Sequence, residues 1–301
     1  MHTGIISKIQ NYSTKDGPGI RSTVFCIGCN LNCKWCANPE TISPNQKVMF
    51  YSSRCNQCGE CISKSNGAIS LSNNSLNINR EKILDWAPII ESCPFNAFEK
   101  IGEIWNTHDL ANQLLRDKVF YEISHGGVTF SGGEAALQAD FIIETAFLLR
   151  KEGIHIALDT AGNIPWHILS KVLEEIDLVL FDIKCFDSFS HLHCTGSTNN
   201  LILENAKKIA ELGKDMWIRL IVVPGLNSDL NDIRNRFKFI RSLGDSVKRV
   251  ELLKYHNLGV SKYAQLGLEY TIEKNLIFPD NLLHDILRIS EQEGIKIFIE
   301  N

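Results

Sequence analysis

Residues 29–36 read Cys29-Asn30-Leu31-Asn32-Cys33-Lys34-Trp35-Cys36, three thiols on one short loop at C-x3-C-x2-C spacing. Three thiolates this close can hold three irons of a 4Fe–4S cluster and leave the fourth iron open to an outside ligand. Structural zinc normally takes four ligands in two pairs, and no second pair follows at finger spacing. A zinc knuckle or buried free thiols are the competing readings of the triplet. Immediately upstream, residues 20–25 form a candidate strand that leads into this loop.

Downstream, from residue 105 on, the pattern is regular. Apolar strand-like runs at 128–130, 154–158, 178–183, 217–223, 250–253 and 296–299 alternate with helical periodicity near 107–118, 138–152, 165–175, 199–213, 229–243 and 280–294. Strands alternating with helices of that length indicate βα units on a parallel sheet. Three of the strands run out into polar residues, Ser131, Asp159 and Asp182. The carboxyl ends of strands carry the active site of a parallel barrel, and an open doubly wound sheet places its ligand at the same edge. The six strands after residue 127 are compatible with either. Residues 48–100 differ in texture. They are rich in Asn, Ser and short apolar pieces and read as a small insert organised by metal rather than by a large core.

The 301 residues carry Lys+Arg 31 against Asp+Glu 35, a net charge of −4, so no basic field argues for nucleic acid or an anionic membrane. Apolar residues are 44%, and no apolar run approaches the roughly 18 residues of a spanning helix. The start, Met1-His2-Thr3-Gly4, lacks the regions of a secretory signal. The expected location is cytoplasmic, where thiols stay reduced, so the ten cysteines point to metal rather than to disulfides.

C-x3-C-x2-C is the signature of radical S-adenosylmethionine enzymes. The surroundings narrow the resemblance. Asp16-Gly17-Pro18-Gly19-Ile20-Arg21 precedes the triplet, and Gly28-Cys29 enters it. Gly127-Val128-Thr129 leads into Ser131-Gly132-Gly133-Glu134, followed by Leu158-Asp159-Thr160, Asp182-Ile183-Lys184, Arg219 before Val222-Val223-Pro224-Gly225, and Leu252 to His256. In this order they resemble the glycyl-radical-enzyme activating enzymes over nearly the whole chain.

The resemblance implies an α/β fold, a partial (β/α)6 TIM-type barrel with a small inserted ferredoxin-like iron–sulfur domain. Residues 1–47 would start the barrel, 48–100 form the insert and 101–301 complete the barrel. It implies an oxidoreductase activity: one-electron reductive cleavage of S-adenosylmethionine, whose 5′-deoxyadenosyl radical takes hydrogen from a glycine of a partner glycyl radical enzyme. A flavodoxin- or ferredoxin-type protein would donate the electron. Cys29, Cys33 and Cys36 would ligate the S-adenosylmethionine-binding cluster. Trp35, Cys36, Ala37, Gly132, Gly133, Glu134, Asp182, Ile183, Lys184, Arg219 and His256 would contact S-adenosylmethionine, with Lys184 and His256 among the catalytic set. Trp35 reads equally as an aromatic packed under the loop. Asp159, Thr160 and Asp182 match positions that hold a monovalent cation, with a capping network as the other reading. Residues 257–267 lie where the family's partner-responsive loop lies.

A second group, Cys55-x2-Cys58-x2-Cys61, is the front of a ferredoxin run, but residue 65 is Ser rather than Cys. Cys93-Pro94 matches the back of a second run whose other ligands would fall at Ile83, Trp86 and Ile89. In two-run ferredoxins the fourth Cys of each run serves the other run's cluster. Crossed in this way, Cys55, Cys58, Cys61 and Cys93 make one complete auxiliary 4Fe–4S set, and Ser65, Ile83, Trp86 and Ile89 make an apolar plug. Zinc on the same four thiols is the alternative. Cys26, Cys185 and Cys194 read as packing thiols. Two other functions are carried as alternatives: a radical enzyme acting on a small molecule, and a two-cluster electron carrier.

Overall fold

A computed structural model of the chain describes residues 2–273 and 275–300. Strand β1 (Thr3–Ser13) runs antiparallel to β2 (Arg21–Cys26). The chain then forms two small separate sheets, β3 (Lys47–Phe50) with β6 (Phe98–Ile101) and β4 (Ile69–Ser72) with β5 (Ser75–Ile78). Short helices α1 (Glu60–Ser63) and α2 (Ala87–Glu91) lie among them, and β7 (Glu103–Asn106) returns to the outer edge of β1.

Strands β8 (Gly127–Gly132), β9 (His155–Thr160), β10 (Leu178–Asp182), β11 (Asp215–Val222), β12 (Val247–Lys254) and β13 (Phe298–Glu300) complete a nine-stranded sheet in the order β13-β12-β11-β10-β9-β8-β2-β1-β7. Every pair from β2 to β13 is parallel. Helices α3 (Thr107–Leu115), α4 (Lys118–Ser124), α5 (Ala139–Lys151), α6 (Trp166–Leu173), α7 (Ser188–Thr195), α8 (Asn200–Glu211), α9 (Leu230–Ser242), α10 (Val260–Leu266) and α11 (Asp280–Gln292) fill the connections. Among the described residues no helix is long and apolar enough to cross a membrane.

The parallel strands are apolar because both faces are covered: all five residues of β10, Leu-Val-Leu-Phe-Asp, are buried. Helices meet them through one stripe. In α9, Ile233, Phe237 and Ile240 are buried at i, i+4 and i+7, and the N-cap Asp229 accepts from the Asp232 amide.

Five elements depart from the expectation. The sheet carries two antiparallel strands, β1 and β7, that the apolar pattern does not announce. The helix expected over 107–118 stops at Leu115, and α4 restarts at Lys118. Between them Asp117 accepts a hydrogen bond from the Ser22 hydroxyl at 3.1 Å. Helices α7 and α10, in stretches read as connections, are the other two.

Candidate active site

The cysteine loop has no regular structure, so its backbone groups need partners elsewhere. The unpaired carbonyls at the end of α7 supply two of them: Asn32 donates to Thr195 O at 2.7 Å and Lys34 to Cys194 O at 3.0 Å. Gly28 and Cys29 donate to Thr41 O and Ile42 O, at 2.7 and 2.9 Å. Held this way, Cys29, Cys33 and Cys36 line one cavity of about 680 Å³. Burial pushes the Cys29 and Cys36 thiols up to about 12, so leaving them ionised there requires a positively charged group beside them.

The carboxyl ends of adjacent parallel strands face the loop across the cavity. Phe25, Ser131, Gly132, Asp159, Asp182, Arg219 and Lys254 line it from β2 and β8 through β12. Register brings the charged ones together. Asp182 pairs directly with Arg219 between β10 and β11, and Leu180 pairs with Asp159 between β10 and β9. The Arg219 guanidinium donates from Nε to Asp182 at 3.0 Å and from Nη2 to Asp159. Lys184 Nζ donates to the other Asp182 oxygen at 2.8 Å. Asp182, Lys184 and Arg219 are buried and Asp159 is partly buried. Burial works against the Lys184 ammonium, but the Asp182 carboxylate and the Cys33 thiolate outweigh it and its pKa is raised. Asp182 is held below its ordinary range because Arg219 and Lys184 outweigh its burial.

Apart from this cavity, Cys55, Cys58, Cys61 and Cys93 line one small pocket with Leu76, Phe95 and Phe98. Burial, followed by the charges of Cys55, Cys93 and Cys58, raises the Cys61 thiol. Ile83, Trp86 and Ile89 pack with Phe98 and Val48 beside it. Ser65 is 4% exposed and bonded to Ile62 O and the Ile69 amide.

A model of the radical SAM superfamily matches residues 92–240. The trans-4-hydroxy-L-proline dehydratase activating enzyme of Clostridioides difficile is 35% identical over 95% of this chain and 96% of its own length. The choline trimethylamine-lyase activating enzyme of Oleidesulfovibrio alaskensis is 34% identical over 92% and 91%. The chain belongs to the glycyl-radical-enzyme activating enzymes. The crystal structure of a radical SAM methyltransferase from Sphaerobacter thermophilus has a TM-score of 0.53 at 10% identity, covering 98% of this chain and 76% of that one, a likeness of fold alone. The fold is thus the α/β radical SAM fold with a mostly parallel central sheet. Family membership implies a 4Fe–4S cluster, S-adenosylmethionine and a glycyl radical enzyme as partner.

The residues of this activating enzyme fit a cluster. Three thiols converge on one cavity, and beside them Gly133 leaves no room for a side chain: a Cβ there would stand 2.2 Å from Gly28 O and 2.8 Å from Thr41 O. Gly132 has φ +108° and would place a Cβ 2.4 Å from the Cys26 backbone. Among the described residues no group of three or more His, Cys, Asp or Glu is arranged to hold a single metal ion. A cluster takes each thiolate on a different iron, and so asks for a wider spacing. Gly133→Ala is expected to destabilise the fold by about 1–3 kcal/mol through overpacking at the entry to the loop. Thermal unfolding checks this, and an unchanged midpoint would rule it out.

Of the residues expected at S-adenosylmethionine, Trp35, Cys36, Ala37, Gly132, Gly133, Asp182, Lys184, Arg219 and His256 line the cavity. Trp35, 6% exposed, also packs on Cys185, Cys194, Val223 and Tyr255, so its two readings coexist. Glu134 and Ile183 are not in the cavity lining. Ile183 lies between Asp182 and Lys184, faces the other way and joins the main core. The Glu134 carboxyl turns to the Thr160 hydroxyl at 2.7 Å and the Ala161 amide at 3.0 Å, and burial raises it to about 7.

At the positions expected to hold a monovalent cation the structure shows side-chain hydrogen bonds among the protein's own groups. Arg219 already stands between Asp159 and Asp182. Thr160, next to Asp159 in an extended strand, gives its hydroxyl to Glu134. Sequence reasoning also misses the rim from β1, where Lys8, Gln10 and Tyr12 line the cavity.

Proposed function

We propose that Cys29, Cys33 and Cys36 hold the S-adenosylmethionine-binding 4Fe–4S cluster and that Gly132, Gly133, Asp182, Lys184, Arg219 and His256 receive S-adenosylmethionine. The observation that carries this is the meeting of a three-thiol loop and a charged strand-end set across one cavity. When bound, the cluster supplies the electron that cleaves S-adenosylmethionine, and the resulting radical takes a hydrogen atom from the partner's glycine. The chain's part is to bind, orient and exclude water. Arg219, already oriented by two carboxylates, offers further N–H groups to a carboxylate ligand. Gly132 and Gly133 bring backbone alone to the cavity wall, because the Cys26, Gly28 and Thr41 backbone packs where their side chains would lie. His256 stands at the exposed rim, outside the charged set.

In the same reading the sheet is a partial barrel, supported by one cavity collecting the ends of adjacent strands β2 and β8–β12. Residues 48–100 are a ferredoxin-like insert holding one auxiliary 4Fe–4S cluster on Cys55, Cys58, Cys61 and Cys93, supported by their shared pocket. A cytoplasmic location and a flavodoxin- or ferredoxin-type donor go with it. The test is electron paramagnetic resonance on anaerobically reconstituted, reduced protein, with and without S-adenosylmethionine. Glycyl radical formation is then followed on a panel of glycyl radical enzymes that includes a hydroxyproline dehydratase and a choline lyase. One cluster signal should shift while the other stays, and one panel member should gain its radical. The absence of any shift would sink the open cluster.

Helix α10 joins this site to the insert. A Cβ on Gly259 would stand 2.8 Å from Ala37 Cα. Lys262 Nζ donates to Asn38 at 2.8 Å and to Glu40, 4% exposed, at 2.6 Å. Arg80 of the insert donates to Gln265 O at 2.7 Å and Val48 O at 2.6 Å. Lys262→Met is expected to change partner radical yield more than S-adenosylmethionine affinity, read by titrating the signal shift. Equal changes in both would remove α10 from partner response. Tyr263 is the poorer probe, since it is buried and packs on Tyr270 at 4.8 Å.

A further inference from the structure

Helix α4 turns an apolar face outward right beside the cavity. Val119 is 60% exposed, Phe120 41% and Ile123 77%. Isolated exposed apolar side chains are ordinary, but a contiguous group marks an interaction surface. This group continues into the rim of the site. The ring of Tyr12, 57% exposed, meets Phe120 edge-on with centroids 5.1 Å apart, and Tyr12 itself lines the cavity together with Ser13, Lys15 and Asp16.

Two further observations point the same way. Tyr12 has φ +58°, a left-handed conformation that is costly for a bulky residue and persists where its surroundings impose it. It sits where the β1–β2 register slips, between Gln10 and Ser13. The segment Asp16-Gly17-Pro18-Gly19 is also fixed to α4. Ile20 N donates to Ser124 Oγ at 2.8 Å. A Cβ on Gly19 would stand 2.5 Å from both Ser124 O and Gly126 N, and one on Gly126 would stand 1.8 Å from Ile20 O. Buried Arg21 locks the same turn through Pro18 O at 3.2 Å, Val128 O at 2.6 Å and Thr129 Oγ1 at 2.6 Å. Helix α4 and the cavity rim therefore form one rigid unit.

We propose that Val119, Phe120, Ile123 and Tyr12 form the docking platform for the body of the glycyl radical enzyme whose glycine loop enters the cavity. The proposal rests on the functional reading above. A loop that reaches the cysteines passes the rim, and the domain that carries it then covers the surface beside Tyr12. The fitting partner surface is apolar and borders the glycine loop.

The test uses the double variant Val119→Asp, Ile123→Asp in the reconstituted full chain, with the panel member to which the wild type transfers its radical. Both side chains are exposed, so the fold tolerates the change. The partner concentration giving half-maximal radical is expected to rise at least about tenfold, as for loss of central apolar contacts. Radical yield at saturating partner and partner-free 5′-deoxyadenosine formation should stay unchanged. Leu212→Asp serves as a control. Leu212 is 54% exposed, follows α8 and is not among the residues that line the cavity, so its replacement should leave all three readings alone. An unchanged half-saturating concentration in the double variant overturns the proposal. So does a change in the chain's own oligomeric state with partner response intact, which would assign the patch to a second copy. A wild type that activates no panel member defeats the functional reading itself, and the docking platform with it.

Discussion

Replacing Cys36 with alanine is expected to abolish S-adenosylmethionine cleavage while the second thiol group keeps its iron. The three thiols of the first loop share one cavity with the charged strand ends, whereas Cys55, Cys58, Cys61 and Cys93 line a separate pocket. A cluster bound by three protein ligands does not survive on two, so iron per chain should fall from about eight to about four. The signal that shifts with S-adenosylmethionine should vanish, and the unshifted one should remain. Cys93→Ala should do the reverse, removing the unshifted signal and sparing the shifted one. Iron and sulfide analysis, with 5′-deoxyadenosine measured by chromatography, reads both variants. Zinc in place of iron at the second set would refute the auxiliary cluster. Residual cleavage above about one part in a thousand in Cys36→Ala would refute the first assignment, because the barrier to this chemistry is lowered by the cofactor rather than by side chains.

What could be read from sequence divides along a physical line. The parallel strands are legible because burial on both faces leaves an unbroken apolar run, as in Leu178–Asp182, where even the terminal aspartate is buried. Strand β1 is not, because its residues at the rim, Lys8, Gln10 and Tyr12, face a polar cavity. The apolar-inside alternation that marks a half-buried strand is therefore absent where the site begins. Helix α10 escapes notice for a related reason: it is short, and contacts distant in sequence hold it, among them Arg80 to Gln265 and Lys262 to Glu40.

The candidate site was legible in position but not in side-chain direction. A motif names consecutive residues, whereas an extended chain sends neighbours to opposite faces. That alternation removes Ile183 from the cavity, and Thr160 turns its hydroxyl away from Asp159 toward Glu134. Cys55, Cys58, Cys61 and Cys93 line one pocket and none of them lies in a strand, so strand alternation does not bear on their directions. Nothing in the local pattern gives the bridging of Asp159 and Asp182 by Arg219. Three strands in register create it, and register is a property of the assembled sheet.

That bridge makes Arg219→Ala the substitution with the largest expected effect on stability. Two carboxylates, Asp159 and Asp182, share one guanidinium out of water, and removing it leaves Lys184 as the cation bonded to Asp182. Breaking a buried ionic network at one partner costs about 3–5 kcal/mol, which for a chain of this size lowers the unfolding temperature on the order of 10 °C. The pH dependence separates this cause from a simple cavity. In the wild type Asp182 titrates below its ordinary 3.8, so the stability it contributes is fully present above that value and is lost only as pH falls through the lowered one. Burial already raises Asp159 in the wild type against the pull of Arg219; in the variant that pull is gone from both carboxylates and they repel, so more stability is lost as pH rises through the carboxylate range. The gap between wild type and variant should therefore be widest at neutral pH and narrow toward pH of about 4. Arg219→Lys keeps the charge but not the fork that reaches both carboxylates, and should recover only part of the loss. Denaturant unfolding at several pH values decides the matter. A gap independent of pH would mean that lost packing, not the unpaired carboxylates, sets the cost, and the orienting role given to Asp159 and Asp182 would fall with it.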